Sequence, residues 1–484
     1  MLKIINRIFS FIIFLTLILM LIPNNYTTSA APMDRQLAVD ATACGDCNND
    51  SNIDALDLAV LKQNILNQSD KYNNIMDLNQ DNAVDAIDYS IMKQYLLGKV
   101  SNLPYNPSQP ATKWVGTWTA AQQLTEPANM PPSPGLTNNT LRQIVHVSIG
   151  GNQLRMKFSN QYGSTPVTMN SVHLAISTGG SSIQAGTDKT LTFQGKEAVT
   201  IPVGETVSSD VVNFSLSNLE NIAVTIYFGS VPSALTGHPG SRTISYIQTG
   251  NGVNNLSMPT AVTTEHWYII AGIDVLTDES CKGIVALGDS ITDGRGSTSN
   301  ANNRWTDNLS RRLLNNPSTS NISVLNQGIG GNAVLSGGLG PTALSRFQRD
   351  VLEQSGVRFL ILFEGVNDIG SSSSVSVATN LISAYKELIS KAHSQNILVY
   401  GATITPFGGS QYNSNIHEQV RQTVNSWIRT SGQFDAVIDL DAAVKNPNDP
   451  TKLLSTFDSG DHLHLSPAGY EKIAEVIDLN LFTR

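Results

Sequence analysis

The chain has 484 residues, room for about two to four domains of ~100–200 residues each. Hydrophobic residues make up 40% of it, enough to bury large cores, which excludes wholesale disorder. Only 14% is charged and the formal net charge is −9, which argues against nucleic acid or an anionic membrane surface as the main partner, while three cysteines exclude a disulfide scaffold.

Residues 1–30 read as a secretory signal peptide. Lys3 and Arg7 precede a run without charge from Ile8 to Ile22, and Thr28-Ser29-Ala30 supplies small residues for cleavage. The competing reading is an uncleaved anchor, for which the run is short. Cys44-Gly45-Asp46-Cys47 lacks the second pair that a zinc ribbon needs. A Cys44–Cys47 pairing would leave Cys281 odd.

An internal repeat follows. Asp46, Asn48, Asp50, Asp54 and Asp57 recur 31 residues later as Asp77, Asn79, Asp81, Asp85 and Asp88. Oxygen-bearing side chains thus stand at positions 1, 3, 5, 9 and 12 of two loops, with Asn52 and Ala83 at position 7, where the backbone carbonyl is the donor. Alternate residues of a tight loop can converge on a hard cation, so each loop is a candidate Ca²⁺ site. Position 6 holds Ser51 or Asn82 in place of glycine. Each loop runs into a helix with an apolar face: Leu58, Leu61 and Ile65, then Tyr89, Met92 and Leu96. Residues 44–99 resemble a type I dockerin, the duplicated calcium module that plugs an enzyme into a cohesin of a cellulosome scaffold. The resemblance implies two structural Ca²⁺ ions. It also implies two interchangeable cohesin-binding faces, Ala55, Leu56, Lys62 and Gln63 in one copy and Ala86, Ile87, Lys93 and Gln94 in the other.

Residues 100–113, with Pro104, Pro107 and Pro110 among Asn and Ser, read as an extended linker. Residues 114–280 then change texture. Short runs at Leu141–Ile149, Gln153–Phe158, Thr168–Ile176, Thr190–Phe193, Val211–Leu216 and Ile222–Phe228 predict a β-sandwich-like domain without visible chemistry. Its aromatics could stack on sugars or simply fill a core.

From residue 281 strand, loop and helix alternate. Apolar runs at Gly283–Leu287, Ile322–Leu325, Arg358–Phe363, Ile397–Ala402 and Ala436–Leu440 predict buried parallel strands. Helices are expected at Trp305–Leu314, Ala343–Glu353, Val375–Ala392 and His417–Arg429. This is the pattern of an α/β doubly wound parallel sheet, and in such sheets ligands bind beyond the carboxyl ends of the strands. Three polar clusters are delivered there: Gly288-Asp289-Ser290-Ile291-Thr292, Asn326-Gln327-Gly328-Ile329-Gly330-Gly331-Asn332 and Glu364-Gly365-Val366-Asn367-Asp368. Asp461-His462-Leu463-His464 stands before the last helix, near Pro467.

Acyl transfer needs a nucleophile, a base, an orienter for the base and donors for the oxyanion. Ser290 is the candidate nucleophile, His464 the base and Asp461 its orienter three residues away. The Ser290 and Gly331 N–H groups and the Asn367 amide are candidate oxyanion donors. Plainer readings exist for each piece: Ser290 could cap a helix, Asn367-Asp368 could form a turn, and His462 is a rival base. No G-x-S-x-G elbow is present, so an ordinary α/β-hydrolase is excluded. The four blocks instead resemble the SGNH, or GDSL, hydrolases, which implies a flavodoxin-like catalytic domain over 281–484 that needs no cofactor. The segment opening at Trp114-Val115-Gly116-Thr117-Trp118 more loosely resembles XynE-like carbohydrate esterases. Together these resemblances lead us to expect a secreted, cellulosome-associated serine esterase acting on O-acetyl groups of xylan or pectin. A lipase or short-chain arylesterase is the first alternative, and a polysaccharide-binding protein with a vestigial hydrolase domain the second.

Overall fold

A computed structural model describes residues 44–67, 74–81, 83–100, 103–104 and 112–484. The expected signal peptide, most of the expected linker and Asn82 lie outside these residues. The chain divides into two compact units, Met1–Asn106 and Pro107–Arg484. Among the described residues no helix is long and apolar enough to cross a membrane, and all three cysteines are free thiols.

In the first unit two helices, Ala55–Leu66 and Ala86–Leu96, begin in the same way. Asp54 and Asp85 are the N-caps, taking the N–H of Leu56 at 2.7 Å and of Ile87 at 2.6 Å. Asp57 and Asp88, three residues on, reach back to the cap N–H groups, both at 2.8 Å. The carboxylate at the last loop position therefore also closes a capping box. Leu61, Met76, Leu78, Ile91 and Met92 form the small core, with Leu58, Ile65, Tyr89 and Leu96 against it.

The second unit joins a β-rich region to a parallel sheet. Two antiparallel sheets share one core. The first runs in the order Thr112–Thr119, Ile270–Asp278, Gly151–Ser159, Val212–Leu216. The larger one is built around Asn139–His146, Asn221–Phe228 and Val167–Gly179. Val115, Met156 and Ile273 from one meet Leu141, Val172 and Val224 from the other. The six strand runs expected from the sequence are all here, but Thr112–Thr119, Ser245–Thr249 and Ile270–Asp278 are additional. Pairing of Thr112–Thr119 with Ile270–Asp278 makes the first and last long strands of the region neighbours. A third, short sheet of Gln123–Leu124, Thr236–His238 and Trp267–Tyr268 borders the parallel-sheet region.

The parallel sheet contains Ile322–Gly328, Lys282–Gly288, Val357–Phe363, Leu398–Ala402 and Ala436–Ile438 in that spatial order, the sequence order 2-1-3-4-5. Alternate residues of each strand face opposite layers. Val285, Leu287, Leu360 and Leu362 pack on the helices containing Phe347, Leu381 and Val424. Ile284, Ala286, Phe359 and Ile361 pack on those containing Trp305, Leu309 and Ile473. The helix expected over 343–353 departs from its pattern: Ala343–Phe347 is α-helical, and Gln348–Leu352 widens into a π turn. There Arg349 reaches the Tyr162 hydroxyl and Gln122 carbonyl of the β-rich region, while Asp350 meets Arg346.

Register sets the carboxyl ends of the first three strands level, since Gly288 pairs with Gly328 on one side and Phe363 on the other. Arg346, whose side chain is fully buried, ties those ends together. It donates to Gly288 O at 2.9 Å, Gln327 O at 2.6 Å and Asn332 Oδ1 at 3.1 Å. It also pairs with Asp350 at 3.1 Å and Glu364 at 3.5 Å. Removing one member of such a buried network strands the others without partners, at about 3–5 kcal/mol. Arg346→Met is therefore expected to lower unfolding stability by about that amount in urea titration. A loss below about 1 kcal/mol, the value of an exposed pair, would show that the strand ends hold without the guanidinium.

Candidate active site and metal loops

The strand Lys282–Gly288 ends in a sharp turn into the short helix Ser290–Asp293. Asp289 is its N-cap, accepting from Ile291 N at 2.9 Å, so the cap is Asp289 and Ser290 is free of that duty. Ser290 Oγ lies 2.7 Å from His464 Nε2. His464 Nδ1 lies 2.6 Å from Asp461 Oδ2, and Asp461 Oδ1 accepts the N–H groups of Leu463 and His464 at 3.1 and 2.9 Å. The carboxylate on Nδ1 places the ring proton there and leaves Nε2 as the acceptor facing the hydroxyl.

Charge distribution suits that tautomer. Burial holds the His464 imidazole below its ordinary value, and the charges of Arg295 and Arg242 lower it further against the pull of Asp461. Burial tends to raise the Asp461 carboxyl. The hydrogen bonds and charge of His464 and the Leu463 N–H overcome this and hold it well below the usual carboxylate range. His462 is placed elsewhere. It adopts a left-handed φ of +63° and faces Asp458, with Nδ1 at 2.5 Å from its carboxylate and the ring largely exposed.

Gly331 and Asn367 line the same cleft of about 350 Å³ as Ser290 and His464. Gly331 has φ +70°, a conformation that a side chain would strain. The Asn367 amide is held at both ends, Nδ2 donating to Asn332 O at 2.7 Å and Oδ1 accepting from the Tyr412 hydroxyl at 2.9 Å. An amide nitrogen carries two protons, so one remains for the cleft. Asp368 fastens the second loop to the third by accepting Val334 N at 2.8 Å and Leu335 N at 2.9 Å.

Sequence reasoning missed Tyr412, Arg346, Asp293, His238 and Arg242. None of them stands in a recognisable motif; the structure shows only that Gly370 makes room for Tyr412, since a Cβ there would lie 2.3 Å from its ring. Asp293, the residue just after the first block, is buried between His238 Nε2 at 2.9 Å and Arg242 Nη2 at 3.0 Å, both from the β-rich region.

In the first unit the loop oxygens gather as the repeat suggests. Asp46 accepts from Asp50 N and Ser51 N at 3.0 and 2.9 Å, Asp50 from Asn52 N at 2.8 Å, and Asp57 from Asn48 N at 3.1 Å. In the second loop Asp81 accepts from Ala83 N at 2.9 Å and donates its own N–H to Asp77 and Asn79 at 3.2 Å, while Asp88 accepts from Leu78 N at 2.7 Å. Ser51 takes the left-handed conformation, φ +70°, where a glycine would be unstrained. Among the described residues no three His, Cys, Asp or Glu side chains converge as a metal cluster. The loops depend equally on Asn and carbonyl oxygens. That all-oxygen donor set, with Asp46, Asp57 and Asp88 buried and in no ion pair among the described residues, fits a hard cation such as Ca²⁺. Ala55, Leu56, Lys62, Gln63, Ala86, Ile87, Lys93 and Gln94 are all exposed, Leu56 by 60% and Ile87 by 54%.

A comparison with curated proteins finds no match. Among solved structures, part of this chain is similar to the acetyl xylan esterase AlAXEase, at 21% identity over 40% of this chain and 96% of the other, with TM-score 0.31. A catalytic mutant of an acetylxylan esterase from Geobacillus stearothermophilus matches at 18% identity over 40% and 91%, TM-score 0.32. A member of the lipolytic protein G-D-S-L family from Veillonella parvula matches at 20% identity over 42% and 100%, TM-score 0.30. The GDSL-like lipase/acylhydrolase family model matches residues 286–472, and the dockerin type I model matches residues 44–97. The chain therefore carries a serine ester hydrolase domain of the GDSL-like lipase/acylhydrolase family, together with a type I dockerin domain.

Proposed function

We propose that this protein is a secreted, cellulosome-associated esterase that removes O-acetyl groups from plant cell-wall polysaccharide through an acyl-enzyme on Ser290. The observation that carries the reading is the 2.7 Å contact of Ser290 Oγ with His464 Nε2, backed by Asp461. Ser290 Oγ attacks the ester carbonyl carbon as its proton passes to His464 Nε2, and Asp461 stabilises the imidazolium. The Ser290 and Gly331 N–H groups and the Asn367 amide receive the oxyanion. As the tetrahedral intermediate collapses, His464 returns the proton to the departing alcohol. Water then attacks the acyl carbon as His464 takes its proton, the bond from Ser290 Oγ to that carbon breaks, His464 returns the proton to Oγ, and acetate leaves.

A polar cleft mouth supports a sugar ester over a long-chain lipid: Gln123, Glu126, Asn129, Arg242 and Gln411 line it beside Leu339 and Leu463. The intact Ser290–His464–Asp461 chain speaks against a vestigial domain. Type I dockerin domains bind calcium structurally. In this chain we assign two Ca²⁺ ions to the loops, with Asp46, Asn48, Asp50, Asn52 and Asp57 as donors in the first and Asp77, Asn79, Asp81, Ala83 and Asp88 in the second. The exposed positions after each loop, Ala55, Leu56, Lys62 and Gln63 or their counterparts, would meet a cohesin.

The deciding experiment is acetate release from acetylated xylan and pectin set against hydrolysis of long-chain esters. Preference for the long chains would replace this reading with a lipase. Ser290→Ala and His464→Ala are expected to abolish release while His462→Ala retains it. Asn367→Ala should lower kcat by ~10²–10³ through loss of one oxyanion donor. Similar losses in the two histidine variants would misplace the base.

The base must be neutral to accept the serine proton, so activity falls as His464 is protonated on acidification. Because its pKa lies below the ordinary 6.5, the acidic limb of the kcat/KM profile is expected to have its midpoint below that value. A midpoint above 7 would exclude His464 in this environment as the titrating group. Chelation of Ca²⁺ with EDTA is expected to unfold the dockerin, read by loss of cohesin binding, while hydrolysis of a soluble ester survives. The opposite pattern would reverse the roles of the two domains.

A further inference from the structure

We infer that Arg242, supplied by the β-rich region, is a specificity-determining residue whose free guanidinium edge holds an oxygen of the alcohol portion of the bound ester. The inference rests on the esterase reading and extends it to the leaving-group side of the same cleft. Arg242 lines that cleft with Ser290 and His464. Its Nη2 is fixed on Asp293 Oδ2 at 3.0 Å, and Asp293 is fixed in turn by His238 Nε2 at 2.9 Å. The Arg242 side chain remains 26% exposed, and Nη1 has no protein partner among the described residues. One edge of the guanidinium is thus anchored and the other is presented.

The backbone carrying it is built for that placement. A Cβ on Gly240 would lie 1.9 Å from Asp293 Oδ2, so only glycine lets the chain approach the carboxylate so closely. Arg304 donates to Ser241 O, and Asn300 N donates to Arg242 O at 2.9 Å. Arg242 itself sits at φ +51°, a left-handed conformation that costs a non-glycine residue, and its buried Nε has no acceptor. Both features work against stability, and the ion pair with Asp293 alone requires neither. Backbone strain at a residue whose free guanidinium edge opens on a catalytic cleft is what a ligand contact at that edge would explain.

Direction follows from the chemistry. His464 returns a proton to the departing alcohol, so groups that flank its ring face the alcohol rather than the acyl side. Arg242 lines the cleft beside His464, and an acetyl group offers no oxygen beyond its carbonyl, so an oxygen held by this guanidinium belongs to the alcohol. A planar guanidinium there suits a hydroxyl pair of a sugar or the carboxylate of a uronate, and it has nothing to bind in an aryl alcohol.

The full-length enzyme and its Arg242→Lys and Arg242→Gln variants would be compared on an aryl acetate, an acetylated xylo-oligosaccharide and an acetylated galacturonate oligomer. Lysine keeps a charge for Asp293 and so guards against misfolding, which thermal unfolding of each variant also monitors. The expected result is a fall of roughly tenfold or more in the ratio of sugar-ester to aryl-ester kcat/KM, carried mainly by KM. The sugar ester that loses more identifies hydroxyl or carboxylate as the group held. Equal losses on all esters would make Arg242 a structural partner of Asp293 and overturn the inference, as would unchanged ratios or a wild type active on aryl acetate alone. A wild type inactive on every ester would instead remove the esterase reading beneath it.

Discussion

The catalytic half of the molecule is organised around the buried guanidinium of Arg346. Parallel strands end in loops that hydrogen-bond little to one another, and three such loops must be fixed to place a serine, a glycine and an asparagine in one cleft. Arg346 accomplishes this from one helix turn by reaching the carbonyls of Gly288 and Gln327, the Asn332 amide and the Glu364 carboxylate. A lysine has a single nitrogen and could not span these positions; the planar fork with five donors can. Asn332 extends the network, since its carbonyl accepts from Asn367, and Tyr412 fixes the other end of that amide.

A second anchor comes from the β-rich region. The helix carrying Ser290 has one turn, too short to hold its own position. Its last residue, Asp293, is buried against His238 and Arg242, while Arg304 binds the Asp293 carbonyl at 3.0 Å. Elsewhere Thr119 Oγ1 donates to Asn326 O at 3.1 Å, and Ser148 Oγ accepts from Val324 N at 3.2 Å, both at the strand whose loop supplies Gly331. Two of the three loops therefore lean on residues from outside the parallel sheet. The position of Ser290 is a property of both regions together.

What was legible in the sequence is what lies contiguous in it. Ser290, Gly331, Asn367 and Asp461-x-x-His464 stand in short blocks at strand ends, and the apolar runs that predict those strands are continuous because both faces are buried. The duplicated loops were readable for the same reason, as spacing within twelve residues. Arg346, Tyr412 and Arg242 have no such signature. Each has a partner far along the chain, Gly288 at 58 residues from Arg346, Asn367 at 45 from Tyr412 and Asp293 at 51 from Arg242, and an isolated arginine or tyrosine has the same local pattern whether buried or exposed. The π turn at Gln348–Leu352 was invisible too, because it answers to Tyr162 and Gln122 rather than to its own propensity.

A cluster of buried acids stands behind the turn that carries Ser290. Asp289, Glu364 and Asp368 are all buried close to Ser290's turn, and three carboxylates would oppose negative charge on a bound ester. Burial pushes the Asp289 carboxyl up to about 7 and the Glu364 carboxyl up to about 8, with the neighbouring acids adding to the rise and Arg346 opposing it. Asp368 is raised as well by burial, against its bonds to Val334 N and Leu335 N. Asp289 and Glu364 therefore hold part of their protons at neutral pH, and the positive charge of Arg346 offsets much of what remains ionised. The low dielectric that makes an unpaired ion costly thus keeps negative charge low behind the turn that carries Ser290.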